Sequence, residues 1–409
     1  MSGKIHNRVL EGLKVLELAS VLAGPSVGMF FAELGATVIK VENNTTGGDV
    51  TRKWKLPGEE PDSDISGYFS SVNWGKYSIA INICDPEGLN IIYKLAAACD
   101  IVLASYKPGD AEKLGVDYPT IKRHNANIIY AHITGYGLHN PRAGFDAIIQ
   151  AETGFTYMNG EPGGKPTKMP VALMDVLAAH QLKESILLSL LQREKTGKGK
   201  YIEASLFKAG VASLANQASN WLVGKTIPQR MGSDHPNIVP YGTIYHTKDN
   251  KEIVLAAGTD KQYRELIITL GRADLAEDTR FAKNQDRVIH KKEINRIIQD
   301  LISSYNRDEI LHILSEKRIP AGGVFNMKEV FEVPEAKDML LKGTYPDGTE
   351  IKGVRSIAFS SGDSNESWYP DRPPRYGEHT LTILHEWLNF DDRTIHHLIH
   401  KGVVYAQKK

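Results

Sequence analysis

The 409-residue chain has little cysteine, no net charge and no long apolar run. Its two cysteines, Cys84 and Cys99, exclude a disulfide scaffold or a thiolate metal site and fit a reducing compartment. The 49 basic and 49 acidic residues cancel, which removes any general argument for binding nucleic acid or an anionic membrane. No apolar run approaches the roughly 20 residues that span a bilayer, and the first residues (MSGKIHNR) lack the features of a signal peptide or presequence. We therefore expect a cytoplasmic protein with small-molecule partners, no nucleic acid and no membrane.

Missing motifs also limit the cofactors. Residues 22–28 (LAGPSVG) lack the GxGxxG pattern of nicotinamide-binding proteins, although Glu42 stands where such a protein places its ribose-binding acid. No Walker-type loop supports the use of ATP. His396 and His400 are spaced four residues apart on the last predicted helix, but no third metal ligand accompanies them. The sequence thus predicts neither a metal site nor a permanently bound cofactor.

Strand and helix patterns alternate through the first half of the chain. Residues 14–18 (KVLEL) predict a buried strand, Gly24 opens a helix, and residues 36–42 predict the next strand, which together form a βαβ unit. A helix is predicted over residues 86–98, and further strands over residues 77–82, 100–104 and 127–133. This alternation predicts an α/β fold with a parallel sheet covered on both faces, whose ligands lie beyond the carboxyl ends of the strands.

The pattern changes in the second half. Helices are predicted over about residues 176–224, and the character of the sequence changes after Met231. Hairpin-like strands at 242–246 and 252–256 then precede further helices up to Lys317. Since 409 residues exceed the usual size of one hydrophobic core, we predict a second, smaller α+β domain in this region.

One carboxylate, Asp175, lies where a loop rich in glycine and proline (160–170) ends and a long helix begins. Apolar residues then recur at helical spacing, at Val176, Ala179, Leu182, Ile186 and Leu190. Asp175 stands where an N-cap would stand, and aspartate is a preferred capping residue. A helix N-terminus also keeps a carboxylate ionised and can stabilise an oxyanion formed beside it. The spacing leaves open whether Asp175 is a cap, a nucleophile or both.

The segment 168–175 (KMPVALMD), followed by a helix and residues 193–199 (REKTGKG), resembles the active-site segment of the class III CoA-transferases, the family of formyl-CoA and carnitine CoA-transferases. The similarity covers nearly the whole chain. It includes LAGP at 22–25, GATVIKVE at 35–42, GDVTR at 48–52, KPG at 107–109, ITGYG at 133–137, GFD at 144–146 and GEHT at 377–380. The resemblance implies that Asp175 attacks an acyl-CoA thioester, and that coenzyme A arrives as a substrate.

The resemblance also implies an architecture. It predicts a Rossmann-like large domain built from both chain ends, a smaller α+β domain, and a homodimer whose two subunits interlock like chain links. The implied boundaries are 1–206 for the first part of the CoA-binding large domain, 207–230 for a helical linker, 231–328 for the small domain, 329–345 for a linker and 346–409 for the C-terminal part of the large domain.

Matching positions imply the CoA contacts. These are Val21, Leu22 and Ala23 beside the nucleotide, Ile81 and Asn82 at the adenine end, and Ser105, Tyr106 and Lys107 along the pantetheine and phosphates. The chain departs from the family pattern at Asn43, Cys84 and Ser105, where an arginine, a basic residue and an asparagine are common. The remaining candidate phosphate cations are Lys107, Arg52, Lys53 and Lys76, each of which is also compatible with a solvated surface charge.

Two regions bear on the substrate. The four-glycine loop of formyl-CoA transferase has no counterpart, since residues 256–262 read AAGTDKQ. Together with GSDHPNIVPY at 232–241, this resembles the succinyl-CoA:glutarate type of transferase, which implies succinyl-CoA or a similar donor and a dicarboxylate acceptor. His235 or Arg287 would hold the distal carboxylate, with a turn and a helix brace as their respective alternatives. Asp146 is a candidate second acid beside Asp175, or a plain helix cap.

The main rival is an α-methylacyl-CoA racemase on the same fold, which needs two acid/base groups flanking the α-carbon. In that family a histidine precedes the aspartate of the segment matching residues 144–146, whereas this chain has Phe145, which has no proton to give. A non-enzymatic binding module is the remaining alternative. It would require Asp175 to be dispensable.

Overall fold

The computed structural model describes residues 8–359 and 369–407. Its strands are β1 (Lys14–Leu18), β2 (Thr37–Asn43), β3 (Lys76–Ile81), β4 (Ile101–Ala104), β5 (Ile129–Thr134), β6 (Tyr201–Ser205), β7 (Tyr241–His246), β8 (Glu252–Ala256), β9 (Ala321–Gly323), β10 (Leu340–Thr344), β11 (Glu350–Val354) and β12 (Val404–Tyr405).

The helices of the first half are α1 (Ala23–Glu33), α2 (Gly67–Ser70), α3 (Pro86–Ala98), α4 (Asp110–Lys113), α5 (Tyr118–His124), α6 (Asp146–Glu152), α7 (Phe155–Met158), α8 (Leu173–Thr196) and α9 (Leu206–Ala212). Those that follow are α10 (Asn216–Leu222), α11 (Asp260–Thr269), α12 (Ala273–Ala276), α13 (Asn284–Ile289), α14 (Lys291–Ile302), α15 (Arg307–Glu316), α16 (Met327–Val330), α17 (Pro334–Lys337), α18 (Thr380–Thr382) and α19 (Asp392–His400). A 3-10 turn spans Val50–Lys53 and a π-helical turn spans Ile383–Trp387.

The chain divides into two compact units. The first comprises Met1–Thr153, Met169–Ser219 and Lys337–Lys409, and the second comprises Gly154–Lys168 and Asn220–Ala336. We call them unit 1 and unit 2. The domain boundaries expected from the sequence stay a prediction. No helix within the described ranges is both long and apolar enough to cross a membrane.

Unit 1 contains a seven-stranded sheet in the order β12-β3-β2-β1-β4-β5-β6. All neighbours run parallel except β12, which is antiparallel to β3 at the edge of the sheet. The central strands are almost continuously buried, as is usual for parallel strands covered by helices on both faces. The predicted α/β class with a mostly parallel sheet is therefore confirmed.

The sequence located the early elements closely and failed at one strand. Residues 14–18 and 86–98 form β1 and α3 as predicted. The prediction of helices throughout 176–224 is wrong, because α8 ends at Thr196 and β6 then adds to the sheet beside β5. Gly197 ends the helix with a φ of 65°, a left-handed conformation that glycine adopts without steric cost. The chain can then turn back into the sheet.

Unit 2 has its own core. The antiparallel strands β7, β8 and β9 form a three-stranded sheet. Helices α11, α14 and α15 contribute fully buried side chains to the same apolar cluster as Ile253 and Leu255 of β8; these include Leu266, Ile298 and Ile310. This antiparallel sheet with its helices is a small α+β arrangement.

Candidate active site

Two cavities lie at the carboxyl edge of the large sheet, both within unit 1. The first, of about 330 Å³, follows the ends of β2 and β3 and is lined by Lys40, Glu42, Asp49 and Ile81 among others; we call it the β2 cavity. The second, of about 170 Å³, follows the ends of β4 and β5 and contains Asp175; we call it the Asp175 cavity. Ser20 and Tyr106 line both cavities, so the two are neighbours along one edge.

Several residues expected to bind CoA line these cavities. Ile81 and Tyr106 line the β2 cavity, while the Asp175 cavity is lined by Ala23, Ser105, Tyr106, Lys107 and Asp175. Of the other candidates in unit 1, neither cavity is lined by Val21, Leu22, Asn82, Arg52 or Asp146. The structure thus brings the loop after β4 together with Asp175.

The loop before α1 is held in an unusual conformation. Val21 has a φ of 71°, which is rare for a β-branched residue, and its N–H donates to Asp49 at 3.3 Å. The neighbouring Ser20 N–H donates to the Ser105 hydroxyl at 3.2 Å. A Cβ on Gly24 would lie 2.3 Å from the Cβ of Ala19, so a glycine is required where α1 begins. These contacts hold in place the loop that carries the cavity-lining residues Ser20, Ala23 and Gly24.

A buried ion cluster supports the β2 cavity. The Lys40 ammonium lies 3.2 Å from Glu17 and 2.8 Å from Asp49. Burial alone would lower the pKa of Lys40, but the charges of Asp49 and Glu17 outweigh it and raise the pKa. Burial likewise opposes ionisation of Asp49, yet Lys40 and hydrogen bonds from Thr51 hold the pKa of that carboxyl below its usual range. This cluster is a satisfied structural network.

Arg52 belongs to the same kind of network, which corrects its expected role. Its guanidinium donates to both carboxylate oxygens of Glu42, at 2.8 and 2.7 Å, and to the carbonyls of Asp64 and Pro374. Only 3% of its surface is exposed. With its donors committed and buried, Arg52 is not positioned to hold a CoA phosphate.

The other candidate cations differ in exposure. Lys76 is buried and bonds to Glu17, the Pro25 carbonyl and Asn73, so it too is a structural residue. Lys53 is exposed and donates to the Thr46 carbonyl. Lys107 is exposed where it lines the Asp175 cavity. Of the four, Lys107 combines exposure with a place on a cavity wall.

Asp175 is not the N-cap of α8, which excludes one of the two roles that the spacing left open. The helix begins at Leu173, its N-cap is Ala172 without a side-chain bond, and Asp175 lies in the first turn. The missing cap is supplied from α6, since Asp146 accepts the N–H of Met174 at 2.9 Å. A carboxylate 28 residues away thus performs the capping and leaves Asp175 for another role.

Helix α6 fixes the approach to Asp175 through a second side chain. The Gln150 amide donates to Asp146 at 2.8 Å, and its oxygen accepts the N–H of Met169 at 2.8 Å. Gln150 is completely buried. The start of α8 and the loop before it are therefore both tied to α6, which limits the positions that the Asp175 carboxylate can occupy.

The pKa of Asp175 is shifted in the opposite direction to the pKa of Asp49. Burial raises the pKa of Asp175 to about 7, and the nearby charge of Asp146 acts in the same direction. The phenol of Tyr68 is in the same field, because burial and the charges of Asp175 and Asp146 raise its pKa. Tyr68, whose ring packs edge-on against Trp54, was not singled out from the sequence; α2 is short and carries no recognisable motif.

Two glycines explain why loops can close around this cavity. A Cβ on Gly144 would lie 2.4 Å from the Cα of Gly135, and a Cβ on Gly135 would lie 2.7 Å from the Cα of Gly144. The ITGYG and GFD segments therefore cross in backbone contact. Both glycines line the Asp175 cavity, as does Phe145, whose side chain is largely exposed. Only glycine permits this approach.

The two substrate candidates lie in unit 2. Arg287 is completely buried and donates to the carbonyls of Val239 and Phe281, both at 2.7 Å, and to Asp260 at 3.0 Å. Its guanidinium braces the loop before β7, so the expected contact with a substrate carboxylate is not supported.

His235 lies within that loop. Its Nδ1 accepts the N–H of Asn237 at 3.1 Å, which places the proton of the neutral ring on Nε2. Its own backbone N–H donates to Tyr241. His235 is thus part of a turn, with one ring nitrogen still able to donate. Across the described ranges, no three His, Cys, Asp or Glu side chains are grouped as metal ligands.

Comparison with known proteins agrees with this arrangement. The sequence-family model for CoA-transferase family III matches residues 10–380. The human succinyl-CoA:glutarate CoA-transferase is 36% identical over 406 residues, covering 97% of this chain and 90% of that protein. The succinate–glutarate CoA-transferase of Agrobacterium fabrum is 36% identical over 385 residues, covering 92% and 95%.

A solved structure shows the same relationship. The crystal structure of a CAIB/BAIF family protein from Brucella suis superposes with a TM-score of 0.82 at 36% identity, covering 93% of this chain and all of that one. The family match covers residues 10–380, which include the motifs named above and the parallel strands β1 to β6 of unit 1. The chain belongs to the class III CoA-transferases.

Proposed function

We propose that this enzyme moves coenzyme A from succinyl-CoA, or a similar dicarboxylyl-CoA, to a small dicarboxylate such as glutarate through a thioester on Asp175. The observation that carries the proposal is the environment of Asp175. It lies in the first turn of α8 within a cavity shared with the loop 105–107, and burial raises its pKa to about 7. Close to neutral pH, such a carboxylate is available in its nucleophilic form.

The chemistry balances without ATP. An Asp175 oxygen attacks the thioester carbon, the carbon–sulfur bond breaks, and CoA thiolate leaves a mixed anhydride. The thiolate then attacks the Asp175 carbonyl carbon, which releases the donor acid as a carboxylate and forms the aspartyl-CoA thioester. The acceptor carboxylate reverses these two steps and leaves as its CoA ester. Each step exchanges one acyl bond for another, so the thioester energy is retained.

The first turn of α8 acts on the charge of Asp175. Its partial positive charge favours the ionised form of Asp175 and partly offsets burial and the charge of Asp146. Asp146 holds the helix start through the Met174 N–H, so we propose that it positions Asp175 and sets its pKa. We assign it no nucleophilic role. The loop carrying Ser105, Tyr106 and Lys107 would hold the CoA chain, with Lys107 toward a phosphate.

The acids exchanged are inferred from similarity. Two proteins 36% identical to this chain are named for succinate and glutarate, and both matches cover more than nine-tenths of the chain. The expectation that His235 holds the distal carboxylate stays a prediction, and its Nε2–H is able to donate such a bond. A charge-assisted hydrogen bond contributes roughly 1.5–3 kcal/mol, which would discriminate against a monocarboxylate by roughly one to two powers of ten.

The racemase alternative is not favoured. Two relatives that are 36% identical to this chain are named as CoA-transferases, and Phe145 offers no acid or base beside Asp146. An α-proton exchange assay in deuterated water distinguishes the two: the racemase would incorporate deuterium into an acyl-CoA without any acceptor acid.

The direct test of substrate is an exchange assay. Succinyl-, acetyl- and oxalyl-CoA are each incubated with mono- and dicarboxylates, and the new CoA ester is followed by chromatography. We expect succinyl-CoA with glutarate or a related dicarboxylate to be fastest. Comparable rates with monocarboxylates, or a preference for oxalate, would contradict the substrate assignment while leaving the role of Asp175 untouched.

We also propose that the enzyme acts in the cytoplasm as an interlocked homodimer. The native mass should then be about twice the 45.3 kDa of the chain and stay so on dilution, because linked subunits do not separate by mass action. Sedimentation at nanomolar concentration is the measurement. A folded monomer would contradict the interlocking.

A further inference from the structure

Strand β5 directs three polar side chains to one face of the sheet. Tyr130, His132 and Thr134 alternate along the strand and therefore share a face. Each is almost completely buried, and each bonds to a group outside the strand. The Tyr130 hydroxyl donates to the Val116 carbonyl at 2.8 Å, and the Thr134 hydroxyl donates to Glu203 at 2.7 Å. His132 makes two such bonds.

The partners of His132 fix its tautomer. Nε2 lies 2.9 Å from the Tyr106 carbonyl oxygen, and Nδ1 lies 3.0 Å from the Tyr201 hydroxyl. Because a carbonyl can only accept, Nε2 must carry the proton; the neutral ring then accepts at Nδ1 from Tyr201. Burial lowers the pKa of His132 despite the opposing effects of the Tyr106 carbonyl, Glu203 and Glu112, so the neutral ring is the form present near pH 7.

The residue that accepts the hydrogen bond from His132 Nε2 contributes to the walls of both cavities. Tyr106 lines the β2 cavity and the Asp175 cavity, and its neighbours Ser105 and Lys107 line the latter. Ser105 is in turn bonded to the Ser20 N–H, on the loop that also lines both cavities. Moving the Tyr106 carbonyl would therefore move the wall that joins the two cavities. His132 is a residue of the buried strand β5, so its backbone is fixed by the sheet.

We propose that His132 is a positioning residue for coenzyme A: a relay from the Tyr201 hydroxyl through His132 to the Tyr106 carbonyl holds the loop 105–107 in the conformation that receives the CoA chain. The inference rests on the proposed function, since it takes these cavities as the CoA site. His132 lines neither cavity itself. Its effect is on CoA affinity, transmitted through the loop.

The test measures the dissociation constant of free CoA by calorimetry on the full-length protein. His132→Leu removes both hydrogen bonds and should weaken CoA binding about tenfold, the factor that one lost hydrogen bond supports. His132→Gln keeps a donor near the Nε2 position and should stay within about threefold of wild type. The KM for acyl-CoA should follow the same order, while kcat and the KM for the carboxylate acceptor stay within about twofold.

A matched pair of tyrosines separates positioning from general stability. Tyr201→Phe breaks the relay and should weaken CoA binding about threefold, whereas Tyr130→Phe loses a buried hydroxyl of the same strand and should leave CoA affinity unchanged. Equal effects of the two substitutions would overturn the proposal, as would wild-type affinity in His132→Leu. Should His132→Leu fail to fold, the two tyrosine variants decide by the same criterion.

CoA binding requires no attack by Asp175. If the enzyme proved to use another nucleophile or another acceptor, the order of CoA affinities would be unaffected. Unchanged CoA affinity in the relay variants, with transfer between dicarboxylates intact, would instead reject the inference alone. The two failures are therefore distinguishable.

Discussion

Asp49 and Asp175 are aspartates of two neighbouring cavities at one edge of the same sheet, and they differ in their partners. Asp49 lies 2.8 Å from Lys40 and accepts hydrogen bonds from Thr51, and its pKa is held below the usual range. Burial raises the pKa of Asp175 to about 7, and the neighbouring charge, that of Asp146, has the same sign and acts in the same direction. Burial opposes ionisation in both cases. The sign of the neighbouring charge decides whether a buried carboxylate becomes a structural anchor or a poised nucleophile.

Removing the carboxylate at Asp175 should have the largest effect on activity. We expect Asp175→Asn to lower transfer by roughly 10³-fold or more, because the amide cannot form the anhydride or the thioester. Steady-state exchange assays with circular dichroism as a fold check provide the measurement. Asp392→Asn, at a side chain that is 85% exposed on α19, is the matched control and should retain full activity. Retention of more than a few per cent of transfer in Asp175→Asn would refute the assignment.

Removing the cation that pairs with Asp49 should have its effect on stability. Lys40→Met leaves Asp49 without its ammonium partner, and breaking a buried ion pair in this way costs roughly 3–5 kcal/mol in the free energy of unfolding. Urea denaturation measures the loss. Lys113→Met, whose side chain is 77% exposed, should change the free energy by less than about 0.5 kcal/mol. Similar stabilities of the two variants would show that the cluster is not a structural network.

The pH dependence of kcat/KM should report the raised pKa of Asp175. We expect activity to fall as pH drops through about 7, since protonated Asp175 cannot attack the thioester. Asp146→Asn removes a like charge and should move this acid limb to lower pH by roughly half a unit to one unit. It should also lower kcat, because a neutral amide is a poorer acceptor for the Met174 N–H than the Asp146 carboxylate, while the adduct still forms. An acid limb that stays in place would contradict the electrostatic coupling.

The smallest expected effect is on thermal stability. The pKa of Asp175 is raised on folding, so its contribution to stability is complete below the unfolded pKa and is lost as pH rises through about 7. Asp175→Asn removes the cost of burying the charge. Its melting temperature relative to wild type should therefore be roughly 2–6 °C higher at pH 8 than at pH 5. Scanning calorimetry at the two pH values tests the sign, and an equal difference at both would contradict it.

Local patterns predicted the elements and missed the long-range partners. The runs that form β1 and α3 were located because burial and capping are local in sequence. The sequence analysis missed β6 because this strand has five residues, too few to show a clear alternation of apolar and polar side chains after a long helix. Spacing left open whether Asp175 caps α8, because the residue that performs the capping, Asp146, lies on another helix. Spacing showed where a carboxylate stands but could not show what caps the helix.

The same limit applies to charge. Arg52 is a basic residue in a polar loop, which fits a phosphate contact as well as an internal ion pair. Its partner Glu42 is only ten residues earlier, but the contact depends on the return of the loop to the end of β2. Arg287 likewise finds Val239 and Asp260 through the folding of unit 2. His132 lies inside a strand and showed no functional signal at all, since its partners are on two other segments.

Trapping the covalent intermediate tests the central claim most directly. The enzyme is incubated with succinyl-CoA, quenched with hydroxylamine or borohydride, digested with trypsin and examined by mass spectrometry. The tryptic peptide of residues 169–183 (MPVALMDVLAAHQLK) carries a single acidic side chain, that of Asp175, so a mass change there assigns the site without fragmentation. The account predicts a hydroxamate or a reduced side chain on this peptide. Modification of the peptide that begins at Ala143 and carries Asp146, or no modified peptide during active turnover, would contradict it.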